Sequence, residues 1–580
     1  MKKSKSADNI LHDINYYHYI VQYQGDIEAE ISKRPDYYAT IINDKYAIVS
    51  IKKELVQQGL EINMSEETSF QSIVYVNLSV MFTLQEISPI EASQASFVQI
   101  GSPLDLTGKG VNIAIIDSGI DYLNEEFMDA NGETRIECIW DQTIITTEQN
   151  ESVPYGTIYI KSKINDAIKA HKEGKSPYEI VPSKDELGHG TNMSGIIGAT
   201  GKNPNLKGVA PESDFVVVKL IEDFSFEADY EPTVPVFNIT SIFAALQFLY
   251  EYALSNYKPM VIYFPLGSSL GNHKGNGILE EFMESISSNS GIVVVAGTGN
   301  QRDAGGHASG IVSKVTGIEA SGAGVMELEV SPEQKKLWVE IWVDLPNIMS
   351  LEILSPSGES TGTIPAIINY TKYHNFIFER TSINVNYYFP EENTGDELIR
   401  IMFYNLQPGI WRLRVFANYI LDGRYNAWIP QKGITVGNTK FNSPDPFGTI
   451  TNPSNSIYIA TIAAYNQNNN NIVDYSGMAF LDAFVDRIDV AAGGVNALTV
   501  APDNKTAVVN GTSVSAAVVA GVCAMLFEWG IVNGNDPYIY SQTIRAYLVK
   551  GTNKRPGDIS PNPYWGYGML NVPKIFENMI

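Results

Sequence analysis

Three short segments, Asp117 to Gly119 (Asp-Ser-Gly), Gly188 to Thr191 (Gly-His-Gly-Thr) and Gly511 to Ser513 (Gly-Thr-Ser), place an aspartate, a histidine and a serine along the chain in that order. A Ser-His-Asp constellation occurs on several unrelated folds, each with its own chain order, so the order constrains topology as well as chemistry. Asp before His before Ser points to acyl transfer on an α/β fold with a doubly wound parallel sheet.

The flanking patterns agree. Val111 to Ile116 is a near-continuous apolar run ending at Asp117, as expected of a strand buried on both faces of a parallel sheet. Further runs at Phe215 to Leu220, Met260 to Phe264 and Ile292 to Ala296 alternate with helical patterns such as Ile239 to Leu254, which predicts βαβ units. Before them, strand patterns at Tyr19 to Gln24, Tyr46 to Ile51 and Ser72 to Leu78, with a helix near Lys52 to Leu60, predict a small α+β unit. From about Lys314 to Pro430 the pattern changes to short strands, among them Leu337 to Val343, Met349 to Leu354 and Trp411 to Phe416, separated by Ser355-Pro-Ser-Gly and Gln407-Pro-Gly turns. That stretch reads as an inserted β-sandwich. A strand at Ile457 to Ala464 and the Gly-Thr-Ser segment then resume the core. At 580 residues the chain has room for several domains. We divide it as 1–96, an amino-terminal unit; 97–315, the first part of the catalytic domain; 316–433, the insert; and 434–580, the second part with Ser513.

A serine hydroxyl is a weak nucleophile at neutral pH and needs a base, which in turn needs a third group to hold its tautomer. Asp117 ends a buried strand, His189 lies between glycines ahead of a helix-like run, and Ser513 opens an apolar helix of small residues whose macrodipole favours negative charge at its amino end. Taken singly, Asp117 and Ser513 read equally as helix or turn caps. A fourth segment, Val293 to Asn300, runs from a strand through glycines to an amide, and Asn300 with the Ser513 N–H would form an oxyanion hole. The other histidines, His12, His18, His171, His273, His307 and His374, read as surface residues of polar loops.

These four segments resemble the subtilase family. The resemblance implies that Leu266, Gly267 and Ser268 pair with substrate backbone, adding it as a strand, and that Ala296, Gly297, Thr298 and Gly299 form one wall of the S1 pocket. Two positions depart from the family pattern: Ala517 stands where proline is usual, and Pro265 where serine is usual. A narrower similarity, to the clostridial Csp germination proteases, is carried by Thr83 to Ser93, Asp422 to Pro430 and Asn562 to Asn571. It implies that residues 1–96 are a prodomain that chaperones folding, is cut autocatalytically somewhere in about Leu84 to Ser96 and stays bound. It implies that the insert is a jelly roll, and that the substrate is the precursor of a spore cortex-lytic enzyme. The same group includes members without catalysis, so a pseudoprotease sensor or scaffold is the competing expectation.

The net charge of −25, from 65 acidic and 40 basic residues, disfavours nucleic acid and anionic membranes as partners. The expected partners are a protein substrate and the retained prodomain, with no cofactor and no metal. The basic residues near Met1 are followed by no apolar core of a signal peptide, and we expect no apolar run of spanning length, which together suggest a cytoplasmic or spore-associated protein. Cys138 and Cys523 read as free thiols rather than a disulfide framework. In the insert, Tyr370, Tyr373, Tyr387 and Tyr388 are candidates for an exposed aromatic surface that would bind carbohydrate or a partner protein.

Overall fold

The apolar run before Asp117 forms a strand, Asn112–Asp117, at the centre of an 11-stranded sheet. The computed structural model describes residues 10–56, 70–77, 80–84, 93–99, 104–145, 153–313, 322–368, 370–481 and 487–577. Across the sheet, parallel neighbours run Val490–Gly493, Ala460–Asn466, Ile292–Gly297, Met260–Phe264, Asn112–Asp117, Asp214–Lys219 and Ile136–Asp141. The chain therefore starts in the middle, fills one side, and returns to fill the other. The direction of winding reverses between Asn112–Asp117 and Met260–Phe264, and crevices of open α/β sheets form beyond the carboxyl ends of strands at such a reversal.

Helices cover both faces, which is why the central strands carry no polar side. Ile113 and Ile115 join one core with the helices His189–Gly198 and Thr512–Phe527; Ala114 and Ile116 join the other with Ile239–Asn256 and Ile278–Ser287. The stretch Thr512–Val532, interrupted by Thr512, Ser513, Ser515 and Glu528, is long and apolar enough on average to cross a membrane by length and composition, and 89% of its 18-residue apolar window is buried inside the protein, as in a core helix. Cys138 and Cys523 are buried free thiols.

The amino-terminal unit is a four-stranded antiparallel sheet in the order Tyr37–Ile41, Tyr46–Lys52, Tyr16–Tyr23, Ile73–Asn77, with a short helix Ile27–Ile31. One face closes on that helix through Tyr19, Val21, Val49 and Ile51. The other face packs on the main domain, where the Tyr46 ring meets Phe243 at 5.1 Å and Phe282 at 5.5 Å. Of the helix expected near Lys52 to Leu60, the described residues hold a single turn, Lys53–Leu55, and the rest falls in residues 57–69, outside the described residues.

Beyond this unit, Met81–Leu84 leaves the amino-terminal sheet and forms the middle strand of a separate three-stranded sheet, antiparallel to Phe237–Asn238 on one side and to Leu266–Gly267 on the other.

The insert is two facing antiparallel sheets around one core. The larger runs His307–Ile311, Arg424–Trp428, Lys336–Val343, Glu397–Tyr404, Ser382–Tyr388, Thr371–Asn375; the smaller runs Ile348–Leu354, Gly409–Tyr419, Gly324–Val330, Lys440–Phe441. Its strands thus extend at both ends beyond residues 316–433. Tyr387 is buried in this core and donates to the Ile364 carbonyl, so it is no part of an exposed aromatic face; Tyr373 is exposed.

Three histidines read as surface residues are interior. His18 lies within a strand beside Ser50, and His273 and His307 both stack on Trp428, at 4.1 and 4.6 Å. Burial disfavours their charged form, lowering His307 and taking His273 down to about 3.

Candidate active site

Asp117 is the last residue of the central strand and is fully buried. Its Oδ1 accepts from the Ser118 N–H at 2.6 Å and the Ser118 hydroxyl at 3.1 Å. His189 is the first residue of its helix and equally buried, with Nδ1 at 2.8 Å from Asp117 Oδ2 and 3.0 Å from Oδ1. A carboxylate can only accept, so Nδ1 carries the hydrogen and Nε2 is left as the basic nitrogen. Glycine at 190 lets the helix end come this close: a Cβ there would overlap the Gly119 carbonyl and crowd Asp117 Cβ at 3.1 Å.

The histidine loop is held by a residue that sequence reading passed over. The buried Asp185 carboxylate accepts from Gly188 N–H (2.8 Å), Thr191 N–H (2.8 Å), the Thr191 hydroxyl (2.6 Å) and the Ser118 hydroxyl (2.7 Å). It satisfies orphan donors of the helix start and ties them to the loop after Asp117. The acid three residues before the first glycine was the available signal.

Ser513 is the second residue of the helix Thr512–Phe527, which packs against the histidine helix and against the strand Ile292–Gly297. Its N–H stands in the first turn, where intrahelical partners are lacking. The Tyr263 hydroxyl donates to the Ser513 carbonyl at 2.8 Å, fixing the turn. Ser513 Oγ is buried and makes no hydrogen bond among the described residues, so none joins it to His189. Such contacts are often long in the resting enzyme and tighten only in the reacting complex.

Asn300 meets the same turn. Its Oδ1 accepts from the Thr512 N–H and the Thr512 hydroxyl, each at 3.2 Å, while the Gly299 N–H donates to that hydroxyl at 3.2 Å. The N–H of Thr512 can only donate, which assigns the facing atom as oxygen and leaves the Asn300 Nδ2 as a donor on the other side. Gly297 is obligatory in this approach, since a Cβ would lie 2.7 Å from the Thr512 carbonyl oxygen.

Of the segments expected to bind substrate, Leu266 and Gly267 pair antiparallel with Leu84 and Thr83, whereas Ser268 bridges Asn452. Ala296 and Thr298 are fully buried, and the Thr298 hydroxyl engages Ser476 at 3.1 Å, so that residue faces the interior rather than an open pocket.

Comparison with known proteins accords with this geometry. A solved structure, that of the Clostridium perfringens CspB protease, superposes with a TM-score of 0.75 at 28% identity, covering 84% of this chain and 99% of that one. Among curated proteins, the minor extracellular protease Epr of Bacillus subtilis is 24% identical over 208 residues, 35% of this chain; the match spans about a quarter of that protein's length, 24%. The model of the Subtilase family matches residues 108–323 and 434–568, skipping most of the insert. The chain belongs to the subtilase family.

Proposed function

We propose that the protein is a serine endopeptidase in which Asp117 orients His189, His189 takes the proton of Ser513, and Ser513 attacks a peptide carbonyl. Asn300 Nδ2 and the Ser513 N–H hold the oxyanion, and water releases the acyl-enzyme. The observation that carries this is the buried His189–Asp117 pair at 2.8 Å beside a helix whose second residue is the serine. A fluorophosphonate probe tests it: wild type is labelled at Ser513 and Ser513→Ala is not. Absence of labelling on wild type overturns it.

The first cut is in cis. Supporting this, Met81–Leu84 lies as a strand between Phe237–Asn238 and Leu266–Gly267, the position an extended substrate would take, and its carboxyl-terminal end leads into the segment 85–92, outside the described residues. Wild type purifies as two fragments and Ser513→Ala as one chain on this reading. Residues 1–96 then act as a prodomain retained after cleavage, and the likeness to CspB favours a zymogen in spore germination as the substrate. The second reading, a silent pseudoprotease, is favoured by the groove being filled by the chain's own strand; it expects one chain from both preparations and no labelling.

A further inference from the structure

An antiparallel sheet with one face on a core ordinarily turns polar residues outward on the other. The six-stranded sheet of the insert does not. Leu337, Val339, Ile341 and Val343 face the sandwich core, while the alternate residues Trp338 and Trp342, with Leu398, Met402 and Trp428 from neighbouring strands, form a second buried apolar face. This face meets the main domain through Phe226, Val236 and Leu270, and the remaining member of the cluster from outside both is Met81, 1% exposed. Met81 is the first residue of the strand that lies in the groove.

The backbone of that residue is engaged from the same side. Gln431, between the insert's strands Arg424–Trp428 and Lys440–Phe441, is buried; its Nε2 donates to the Met81 carbonyl at 2.8 Å and to the Gly267 carbonyl at 3.0 Å, and its Oε1 accepts from the Ser269 N–H at 3.3 Å. Two carbonyls and one N–H fix the amide orientation without ambiguity. Gln431 thus joins the edge of the groove to the strand within it, one residue beyond Phe82, where pairing with Phe237 occurs. Glu340 of the insert reinforces that edge, accepting from Gly271 N–H at 3.0 Å while paired with Arg400 at 3.1 Å.

We propose that the inserted sandwich is part of the substrate-binding groove: Gln431 reads the backbone carbonyl, and the tryptophan-rich outer face takes an apolar side chain, of whatever residue stands at the place of Met81 in an extended polypeptide bound there. The proposal rests on the endopeptidase reading above. It makes the groove longer than the pairing with Leu266–Gly267 alone and gives the insert a share in choosing substrates: chains with an apolar residue three positions before the one held opposite Leu266, and against acidic ones.

The test uses the full-length enzyme as purified and two acetylated synthetic peptides that span the whole expected cleavage region, the sequence of residues 81–99 and the same with Met81→Asp. The native peptide is expected to be cut with kcat/KM at least about tenfold higher, mostly through KM, because the second must bury a carboxylate. Leu398→Ala, on the sandwich face, should narrow that ratio, whereas general loosening of the enzyme lowers both peptides equally and leaves it intact. Gln431→Leu should raise KM for the native peptide about tenfold with kcat nearly unchanged, as expected for the loss of one buried hydrogen bond. A wild-type ratio near one overturns the proposal while cleavage itself upholds the endopeptidase reading; no cleavage of either peptide overturns both.

Discussion

Replacing Asp185 by alanine asks how the histidine is held in place. The carboxylate is the common acceptor of two backbone N–H groups and two hydroxyls at the start of the His189 helix. The hydroxyls can rotate, and Ser118 Oγ already lies 3.1 Å from Asp117 Oδ1, so the cost falls on the Gly188 and Thr191 N–H groups. At about 1–3 kcal/mol for each buried donor left unsatisfied, keeping the loop in place costs about 2–6 kcal/mol. A first helical turn relieves such a cost by shifting toward water, and His189, as its first residue, shifts with it. With about 1.4 kcal/mol per factor of ten, even the lower bound corresponds to acylation of Ser513 slowed about thirtyfold. The second-order rate of fluorophosphonate labelling measures this, with near-ultraviolet circular dichroism to show that the fold persists. Asp185→Asn, which keeps one acceptor oxygen, should fall between. Labelling of Asp185→Ala at the wild-type rate would refute the reasoning.

Asn300→Ala removes an oxyanion donor and should lower kcat by about 10²–10³ with KM little changed, measured on any peptide that wild type cleaves. Because burial holds His273 and His307 neutral in the folded state, with His273 down to about 3, their contribution to stability is complete above the ordinary value near 6.5 and is lost as pH falls toward 3. For His273 the expected slope is about 1.4 kcal/mol per pH unit between about 6.5 and 3, and His273→Phe, which keeps a ring against Trp428, should remove about that much from the slope of stability against pH in urea titrations from about pH 6 to 5; an unaltered slope contradicts the assignment. Arg400→Leu strands the buried Glu340 carboxylate and should destabilise the junction of insert and groove by about 3–5 kcal/mol, detected as faster limited proteolysis of the insert.

Much of the core was legible because burial on both faces writes itself as a run of apolar residues: Met260–Phe264 was read to the residue, and Asn112–Asp117 within one. The turns that carry Asp117, His189, Asn300 and Ser513 were legible because glycine spacing marks tight turns at strand and helix ends. The errors have a common cause in contacts distant along the chain. His273 and His307 sit in polar local sequence and are covered by Trp428, which lies 155 and 121 residues further along the chain. The strand His307–Ile311, with the sequence His-Ala-Ser-Gly-Ile, has little strand propensity and exists because Arg424–Trp428 pairs with it. Gln431 has no local signature, since what it joins, Met81 and Gly267, lies 350 and 164 residues away.

The strands flanking Met81–Leu84, Phe237–Asn238 and Leu266–Gly267, are two residues each. A long free strand edge recruits other chains and seeds aggregation, a hazard that proteins blunt with short edges and covering elements. On the endopeptidase reading such an edge is kept to receive polypeptide, and here the pairing length is cut to a pair of residues per side, with the Gln431 amide at one end. One extended chain fits and a second finds nothing to extend. The brevity of these edges is therefore a solubility device: it lets the protein carry a strand-pairing site, filled here by Met81–Leu84, without becoming a template for stacking its own copies.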